Sequence, residues 1–228
     1  MKHVKRSFVL SAVLIAVALT GGSLVAQEQP EPGKIATQMK ENQEALRQYV
    51  WQSRISVEVD GEQKKVDLYQ MRYDFNGELE RTRMGGESEE KEVRGPIRKR
   101  VAEKKKNEAH EFADDVKKQM QAYLNPNTVE KALKSAFVRV DQGVLRMQSQ
   151  NVVKSGDSVA FALIQTTKQP MTLQVRTTID ESPVELNVTF QKLDEGPNYS
   201  ARSIINTNWD NKNITITTEN FSYLRQGG

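Results

Sequence analysis

The stretch MTLQVRTTIDESPVELNVTF, residues 171–190, decides the fold class. Apolar side chains occupy alternate positions on both sides of Glu181-Ser182-Pro183, with Leu173 and Val175 before it and Val188 after it. A two-residue period places one side of a strand in a core and the other side in water. The stretch therefore predicts two antiparallel strands joined by a short turn.

The same alternation extends over much of the chain. From Val144 to Leu224 it recurs between short turns and predicts six strands in an antiparallel meander. A second alternating region begins at Tyr49, where the turn signals Asp60-Gly61 and Asn76-Gly77 predict three strands. The third of these strands is predicted over Glu78–Met84. The chain is thus expected to contain about nine strands.

Three segments show helical spacing. Ile35, Met39 and Leu46 predict a first helix from about Lys34 to Gln48. Gly95-Pro96 predicts the start of a long helix that ends near Leu124, because proline at the first helical position loses no hydrogen bond. After Asn125-Pro126, the apolar positions Val129, Leu133 and Ala136/Phe137 predict a short third helix.

Two segments between these elements are less regular. Residues 85–92 are rich in glycine and glutamate and are predicted to form a mobile loop. The apolar residues of 66–75 fall in two phases, with Val66 and Leu68 in one and Tyr69 and Met71 in the other. This predicts either a bulge near Leu68 or a strand buried on both sides.

Together these patterns predict an α+β fold. A curved antiparallel sheet of about nine strands, an incomplete barrel, would be covered by the N-terminal helix and a central helical segment. Residues 1–26 are predicted to be a signal peptide, residues 27–33 a flexible tail, and residues 34–228 a single domain.

The predicted signal peptide indicates the compartment. Lys2, Lys5 and Arg6 precede an apolar run, and small residues lead to Ala26, after which cleavage is expected. An uncleaved membrane anchor is the alternative, but Thr20-Gly21-Gly22-Ser23 interrupts the apolar run. The chain has no cysteine, so neither a lipidated cysteine nor a disulfide is available. We expect a bacterial periplasmic or secreted protein without a stable transmembrane anchor once the signal is cleaved.

Charge and residue types exclude several functions. The whole chain has a formal charge of +3, and residues 1–26 carry three basic and no acidic side chains. The remaining chain is therefore neutral, which argues against a nucleic-acid partner. It has one histidine, His110, and no cysteine, which leaves few ligands for a metal and few standard catalytic groups. We expect no cofactor, no metal, no catalytic residues and no enzymatic activity.

Apolar side chains on strands and helices are the candidates for a hydrophobic cavity. Such residues usually form a packed core, so the same set also fits a protein without a ligand. The helix residues are expected to lie against the sheet, and the first strand is expected to share one core with the meander. The candidates are Trp51, Ile55, Val57, Tyr73, Phe112, Val116, Met120, Phe161, Leu163, Leu173 and Val175.

A run of basic residues at the start of the long helix is the candidate for docking a partner. Six of the nine residues from 98 to 106 are basic, although nearby glutamates can neutralise them as a solvated face. Lipid headgroups or an acidic protein would be suitable partners. The candidates are Arg98, Lys99, Arg100, Lys104, Lys105 and Lys106.

The order of elements resembles the LolA-like family of periplasmic lipoprotein carriers. The resemblance is carried by the helix over 34–48 that runs into Tyr49-Val50-Trp51-Gln52-Ser53-Arg54, and by the ending from Ile214 to Phe221. It implies an incomplete barrel closed by helices over an apolar cavity for acyl chains, and no functional position can be transferred. The expected function is a non-enzymatic carrier or binder of a lipid, lipoprotein or other hydrophobic ligand. The alternative is an envelope interaction or sensor module with a packed core and an envelope protein as its partner.

Overall fold

The computed structural model describes residues 31–88 and 96–226. These residues form three helices: α1 (Pro32–Leu46), α2 (Pro96–Leu124) and α3 (Pro126–Lys134). They also form ten strands: β1 (Tyr49–Val59), β2 (Glu62–Tyr73), β3 (Leu79–Ser88), β4 (Phe137–Asp141), β5 (Val144–Gln150), β6 (Ser158–Ile164), β7 (Pro170–Ile179), β8 (Ser182–Lys192), β9 (Asn198–Trp209) and β10 (Lys212–Arg225).

All ten strands belong to one antiparallel sheet. Their order is β3-β2-β1-β10-β9-β8-β7-β6-β5-β4, so every strand except β1 and β10 neighbours only strands adjacent to it in sequence. The pairing of β1 with β10 joins the N-terminal hairpins to the C-terminal meander. The sheet is open, with β3 and β4 at its edges. The predicted α+β class and antiparallel meander are confirmed.

The sheet has ten strands, whereas the sequence predicted about nine. The strand that was missed is β4, because its first residue, Phe137, was interpreted as the end of the third helix. That helix ends at Lys134 and is followed by Ser135. Phe137–Asp141 is a short edge strand in which exposed and half-buried residues alternate. A turn at Gln142 and Gly143, both with positive φ, connects it to β5.

The prediction of a loop from residue 85 was wrong for its first part. Gly85–Ser88 extends β3, where Gly85 pairs with Leu68 of β2. The backbone hydrogen bonds of the ladder outweigh the low strand preference of glycine here. The rest of the predicted loop, residues 89–92, lies outside the described residues, as do the whole predicted signal peptide and residues 27–30 of the tail.

The sheet has an irregularity near Leu68, as predicted, but the bulge there lies in β3 rather than in β2. Between Leu68 and Tyr69 of β2, the register of β3 advances by one extra residue, Met84. The extra residue of β2 is Lys64, opposite β1. Val66 and Leu68 therefore lie on one face of β2, and Tyr69 and Met71 on the other, so the strand carries apolar side chains on both faces.

The helices pack on one face of the sheet, which we call the core face. Buried residues of α2 and α3 meet buried residues of β5 to β8 in one cluster, and Ile35 of α1 joins it. Asn125 caps α3 by accepting a 2.9 Å hydrogen bond from the backbone N–H of Asn127. The turn between α2 and α3 is thereby fixed, and both helices lie against the same half of the sheet.

Candidate functional site

The strand register shows how far the core face extends. Residues directly opposite each other in a ladder have side chains on the same face. Leu186 of β8, which is buried in the core, pairs with Ile205 of β9. Ile205 pairs with Ile216 of β10, and Ile216 pairs with Val57 of β1. The face that the helices cover over β5 to β8 therefore continues across β9, β10 and β1.

Six aliphatic side chains occupy this continuation, and we call them the open patch. All six are half-buried, whereas the residues under α2 and α3 are fully buried. Of the six patch residues, Ile205 alone packs against the core cluster formed by the described side chains. The open patch thus extends the apolar interior beyond the helical cover. Its members are Ile55, Val57, Val59, Ile205, Ile214 and Ile216.

A charged cluster begins directly beside the open patch, on the same face. Asp67 of β2 pairs with Ile55, and Lys65 pairs with Val57. The carboxylate of Asp67 is buried and lies 2.8 Å from Lys65 Nζ and 2.8 Å from Arg83 Nη2. Tyr69 donates a 3.1 Å hydrogen bond to the same carboxylate. We call Lys65, Asp67, Tyr69 and Arg83 the basic cluster, because it holds two cations and one anion.

The electrostatics of the basic cluster keep Asp67 ionised. Burial by itself raises the pKa of a carboxyl group, because it disfavours the charged form. At Asp67 this effect is outweighed by hydrogen bonds from Lys65 and Tyr69 and by the charges of Lys65 and Arg83, so its pKa lies below the ordinary 3.8. Lys65 and Arg83 remain about half exposed, at 49% and 54% of their side-chain surface.

An aromatic cluster occupies the same face at one end of β1, β2, β9 and β10. The rings of Trp51 and Tyr223 are stacked, with centroids 5.4 Å apart and planes 7° from parallel. Tyr73 lies 5.6 Å from Trp51, and Tyr199 lies 4.4 Å from Tyr223. Burial raises the pKa of Tyr223, and the neighbouring Tyr199 and Tyr73 raise it further. The Tyr223 phenol therefore stays protonated. Packed rings close this end of the face.

The N-terminal helix α1 is tied to the sheet near the aromatic cluster. The side chain of Asn42 donates a 2.7 Å hydrogen bond to the carbonyl of Asn198, whose own N–H donates to Asn42 Oδ1 at 2.6 Å. Arg47, just after α1, lies close against Gly77 of the turn between β2 and β3. The helix thus connects the core at Ile35 with the far hairpin.

Comparison with solved structures finds, among its matches, a LolA superfamily protein from Nitrosomonas europaea. The two chains are 9% identical, the alignment covers 87% of this chain and 95% of the other, and the TM-score is 0.40. No protein-family model matches the sequence, and no curated protein matches it.

The predicted cavity or core residues divide among three places. Seven belong to the packed cluster under the helices, and Trp51 and Tyr73 belong to the aromatic cluster. Ile55 and Val57 lie in the open patch, so the expectation that the first strand shares one core with the meander was wrong. The reason is that α2 and α3 pack over β5 to β8, away from β1. The seven packed residues are Phe112, Val116, Met120, Phe161, Leu163, Leu173 and Val175.

The predicted docking residues all lie in the first part of α2. Arg100 and Lys104 are exposed, and Lys104 Nζ lies 3.6 Å from Glu108 Oε1 one turn later. The side chains of Arg98, Lys99, Lys105 and Lys106 lie outside the described residues. The docking role of these six residues of α2 stays a prediction.

The basic cluster and four of the six open-patch residues were not among the candidates predicted from the sequence. In the sequence, Lys65 and Asp67 alternate with the apolar Val66 and Leu68. The two charged residues therefore resemble residues on the solvent-facing side of a strand. The signal for Ile214 and Ile216 was present in the alternation of β10, but alternation does not tell which neighbours cover a face. Only the ladder register places these residues together.

The described part of the chain offers neither a metal site nor a membrane-spanning helix. Among the described side chains, no group of three histidine, aspartate or glutamate residues is placed to hold a metal ion. In the same part of the chain, no helix has both the length and the apolar character needed to span a membrane. Two clefts of about 460 and 400 Å³ lie on the surface, and both open widely to solvent.

Proposed function

We propose that this protein is a non-enzymatic carrier or binder of an amphiphile, such as a lipid or a lipid-modified protein, and that it works in the bacterial periplasm. The observation that carries the proposal is the open patch. Its six aliphatic side chains continue the apolar core face and are only half-buried. A hydrocarbon chain laid along them would complete the burial that the helices provide elsewhere.

The magnitude of this burial is sufficient for a ligand. Full burial of one aliphatic side chain contributes about 1.5–3 kcal/mol, so the second half of the burial contributes about 1 kcal/mol per residue. Even three or four such contacts contribute a few kcal/mol to the free energy of binding, before the cost of ordering the ligand is subtracted. A monoacyl amphiphile is thus a suitable probe.

The first experiment asks whether an amphiphile is bound at all. The purified protein is examined by native mass spectrometry and organic extraction, and 1-lauroylglycerol is titrated below its micelle concentration by calorimetry. We expect a co-purifying amphiphile and saturable binding of the neutral probe. If neither is found, the carrier proposal is wrong.

The second experiment locates the ligand on the core face. Ile216 lies in the open patch, and its neighbour Thr217 faces the opposite side, where it pairs with Ile204 and Ser56. Ile216→Gln is expected to weaken binding of 1-lauroylglycerol about fivefold, which corresponds to the loss of about 1 kcal/mol. Thr217→Gln is the control and should bind as the wild type does. Equal affinities of the two variants would place the ligand elsewhere.

A further inference from the structure

We infer that the basic cluster is a headgroup site, and that the ligand is an amphiphile whose headgroup is anionic. This inference rests on the proposed function and adds the chemical class of the ligand. Lys65 lies directly opposite Val57, and Asp67 lies opposite Ile55, so the charges begin where the open patch ends.

The distances suit one monoacyl molecule. Neighbouring strands are about 4.8 Å apart, so the step from the patch on β1 to Arg83 on β3 is about 10 Å. Arg83 pairs with Tyr69 of β2, which in turn pairs with Ser53 of β1 on the same face. A headgroup on β2 and β3 can therefore be joined to an acyl chain over β1 and β10 without crossing the sheet.

The basic cluster retains donors for an anion. Asp67 accepts from Lys65, from Tyr69 and from both Nε and Nη2 of Arg83, which fills the acceptor sites of a carboxylate. Lysine has three N–H donors and arginine has five, so both cations keep donors that Asp67 does not use. Asp67 is a positioning residue: it holds the two cations side by side and cancels only one of their charges.

A third cation extends the cluster along β3. Arg81 pairs with Met71, and its guanidinium carbon lies 5.6 Å from the centroid of the Tyr69 ring. Among the described carboxylates, none forms an ion pair with Arg81. Three cations and the carboxylate of Asp67 therefore lie along this edge of the core face, whereas Glu62, opposite Val59, is paired with Lys64. The excess of positive charge is complementary to a phosphate or carboxylate headgroup.

The test uses two probes that differ only in a phosphate. The protein is titrated by calorimetry with 1-lauroyl-lysophosphatidic acid and with 1-lauroylglycerol, both below their micelle concentrations, and with glycerol 3-phosphate. Because hydrogen bonds to ionised groups are stronger than neutral ones, we expect the phosphate-bearing amphiphile to bind about tenfold more tightly than the neutral one. Glycerol 3-phosphate, which lacks the chain, should bind at least tenfold more weakly than the lysophosphatidic acid.

Substitutions test whether the preference for the phosphate-bearing probe arises at the basic cluster. Arg83→Gln leaves Asp67 paired with Lys65 and Tyr69 and should reduce the tenfold preference to twofold or less, while Arg83→Lys should restore part of it. Arg176→Gln is the matched control. Arg176 is also an exposed arginine, at 65% of its side-chain surface, lies 3.4 Å from Glu185 and faces the opposite side of the sheet. If Arg83→Gln does not fold by circular dichroism, Lys65→Gln replaces it.

The outcomes separate the two proposals. Equal binding of the two lauroyl probes by the wild type, or an unchanged preference in the folded cluster variant, would overturn the headgroup site and leave the carrier function standing. Binding of glycerol 3-phosphate as tight as that of the acylated phosphate would also overturn it, because the chain would then contribute nothing. Failure of both lauroyl probes to bind would overturn the carrier function itself.

Discussion

The hydroxyl of Tyr123 donates a 2.7 Å hydrogen bond to the buried carboxylate of Asp157, which ties the last turn of α2 to the turn between β5 and β6. The backbone N–H groups of Val152, Val153 and Lys154 donate to the same carboxylate at 2.7, 2.9 and 2.9 Å. Burial raises the pKa of Tyr123 to about 12, and the neighbouring carboxylate acts in the same direction. The helix that covers the core is thus fixed at its C-terminal end by a phenol that stays protonated.

Removing this phenol should destabilise the protein. In Tyr123→Phe the buried carboxylate of Asp157 loses one of its donors, and a hydrogen bond to a charged group contributes about 1.5–3 kcal/mol. Urea unfolding at neutral pH should show a loss in that range. The control is Tyr199→Phe, because the Tyr199 hydroxyl donates to the exposed Gln191 and its loss should change stability by less than about 0.5 kcal/mol. Equal losses would show that the Tyr123 bond does not anchor α2.

The same site predicts a dependence on pH. Although burial opposes ionisation of Asp157, the backbone and Tyr123 hydrogen bonds hold its pKa below the ordinary 3.8. A carboxyl whose pKa is lowered by folding stabilises the folded state above its unfolded pKa, and this contribution is lost as the pH falls through the folded pKa. The difference in unfolding free energy between wild type and Asp157→Asn should be constant from pH 7 to about 4 and should shrink below pH 4. A difference that stays unchanged down to pH 2 would contradict this assignment.

The helical cover over the sheet can be tested at Phe112. This side chain is 8% exposed, and its ring lies 5.9 Å from that of Trp209 of β9. Phe112→Asp would bury an unpaired charge and should cost several kcal/mol, enough to unfold a typical domain. Thermal unfolding followed by tryptophan fluorescence measures the loss. Phe75→Asp is the control, since Phe75 is 97% exposed, and an equally stable Phe112→Asp would show that α2 does not cover the sheet.

Local sequence patterns predicted most of the fold because most elements here have strong local signals. Alternation and turn residues located the hairpins, and Pro96 and Pro126 stand at the starts of α2 and α3. The strand β4 was missed because it has five residues and a face of exposed side chains, so only Val138 and Val140 indicate the alternation. Short edge strands bury little and leave a correspondingly weak pattern.

The site was less predictable than the fold, because it depends on contacts between distant segments. Periodicity placed Ile55 and Val57 on an apolar face, but it does not show what covers that face. The two side chains are only half-buried because α2 and α3 pack over β5 to β8, away from β1. Asp67 lies on that face too, where an ionisable residue is rare, and it is accommodated only because Lys65 and Arg83 reach it from two strands. A buried charge of this kind has no local sequence signal.

Gly86 makes room for the basic cluster. It pairs with Asp67 across β2 and β3 and has a φ of +151°, a conformation that favours glycine. A Cβ atom at this position would lie 2.7 Å from Oδ1 of Asp67 and also too close to the carbonyl oxygen of Val66. The preceding Gly85 has no heavy atom within 4 Å of its Cβ position, and its φ is not positive.

Gly86→Ala should therefore destabilise the protein by about 1–3 kcal/mol, the usual cost of a residue held in a disfavoured backbone conformation. The added methyl group should also push the carboxylate of Asp67 away from Arg83, so this variant should lose the preference for the phosphate-bearing amphiphile together with its stability. Urea unfolding measures the first effect, and the calorimetric comparison of the two lauroyl probes measures the second. Gly85→Ala is the matched control one residue away, and its stability should stay within about 0.5 kcal/mol of the wild type. Equal stabilities of the two alanine variants would mean that Gly86 is not required for Asp67 to sit between its two cations.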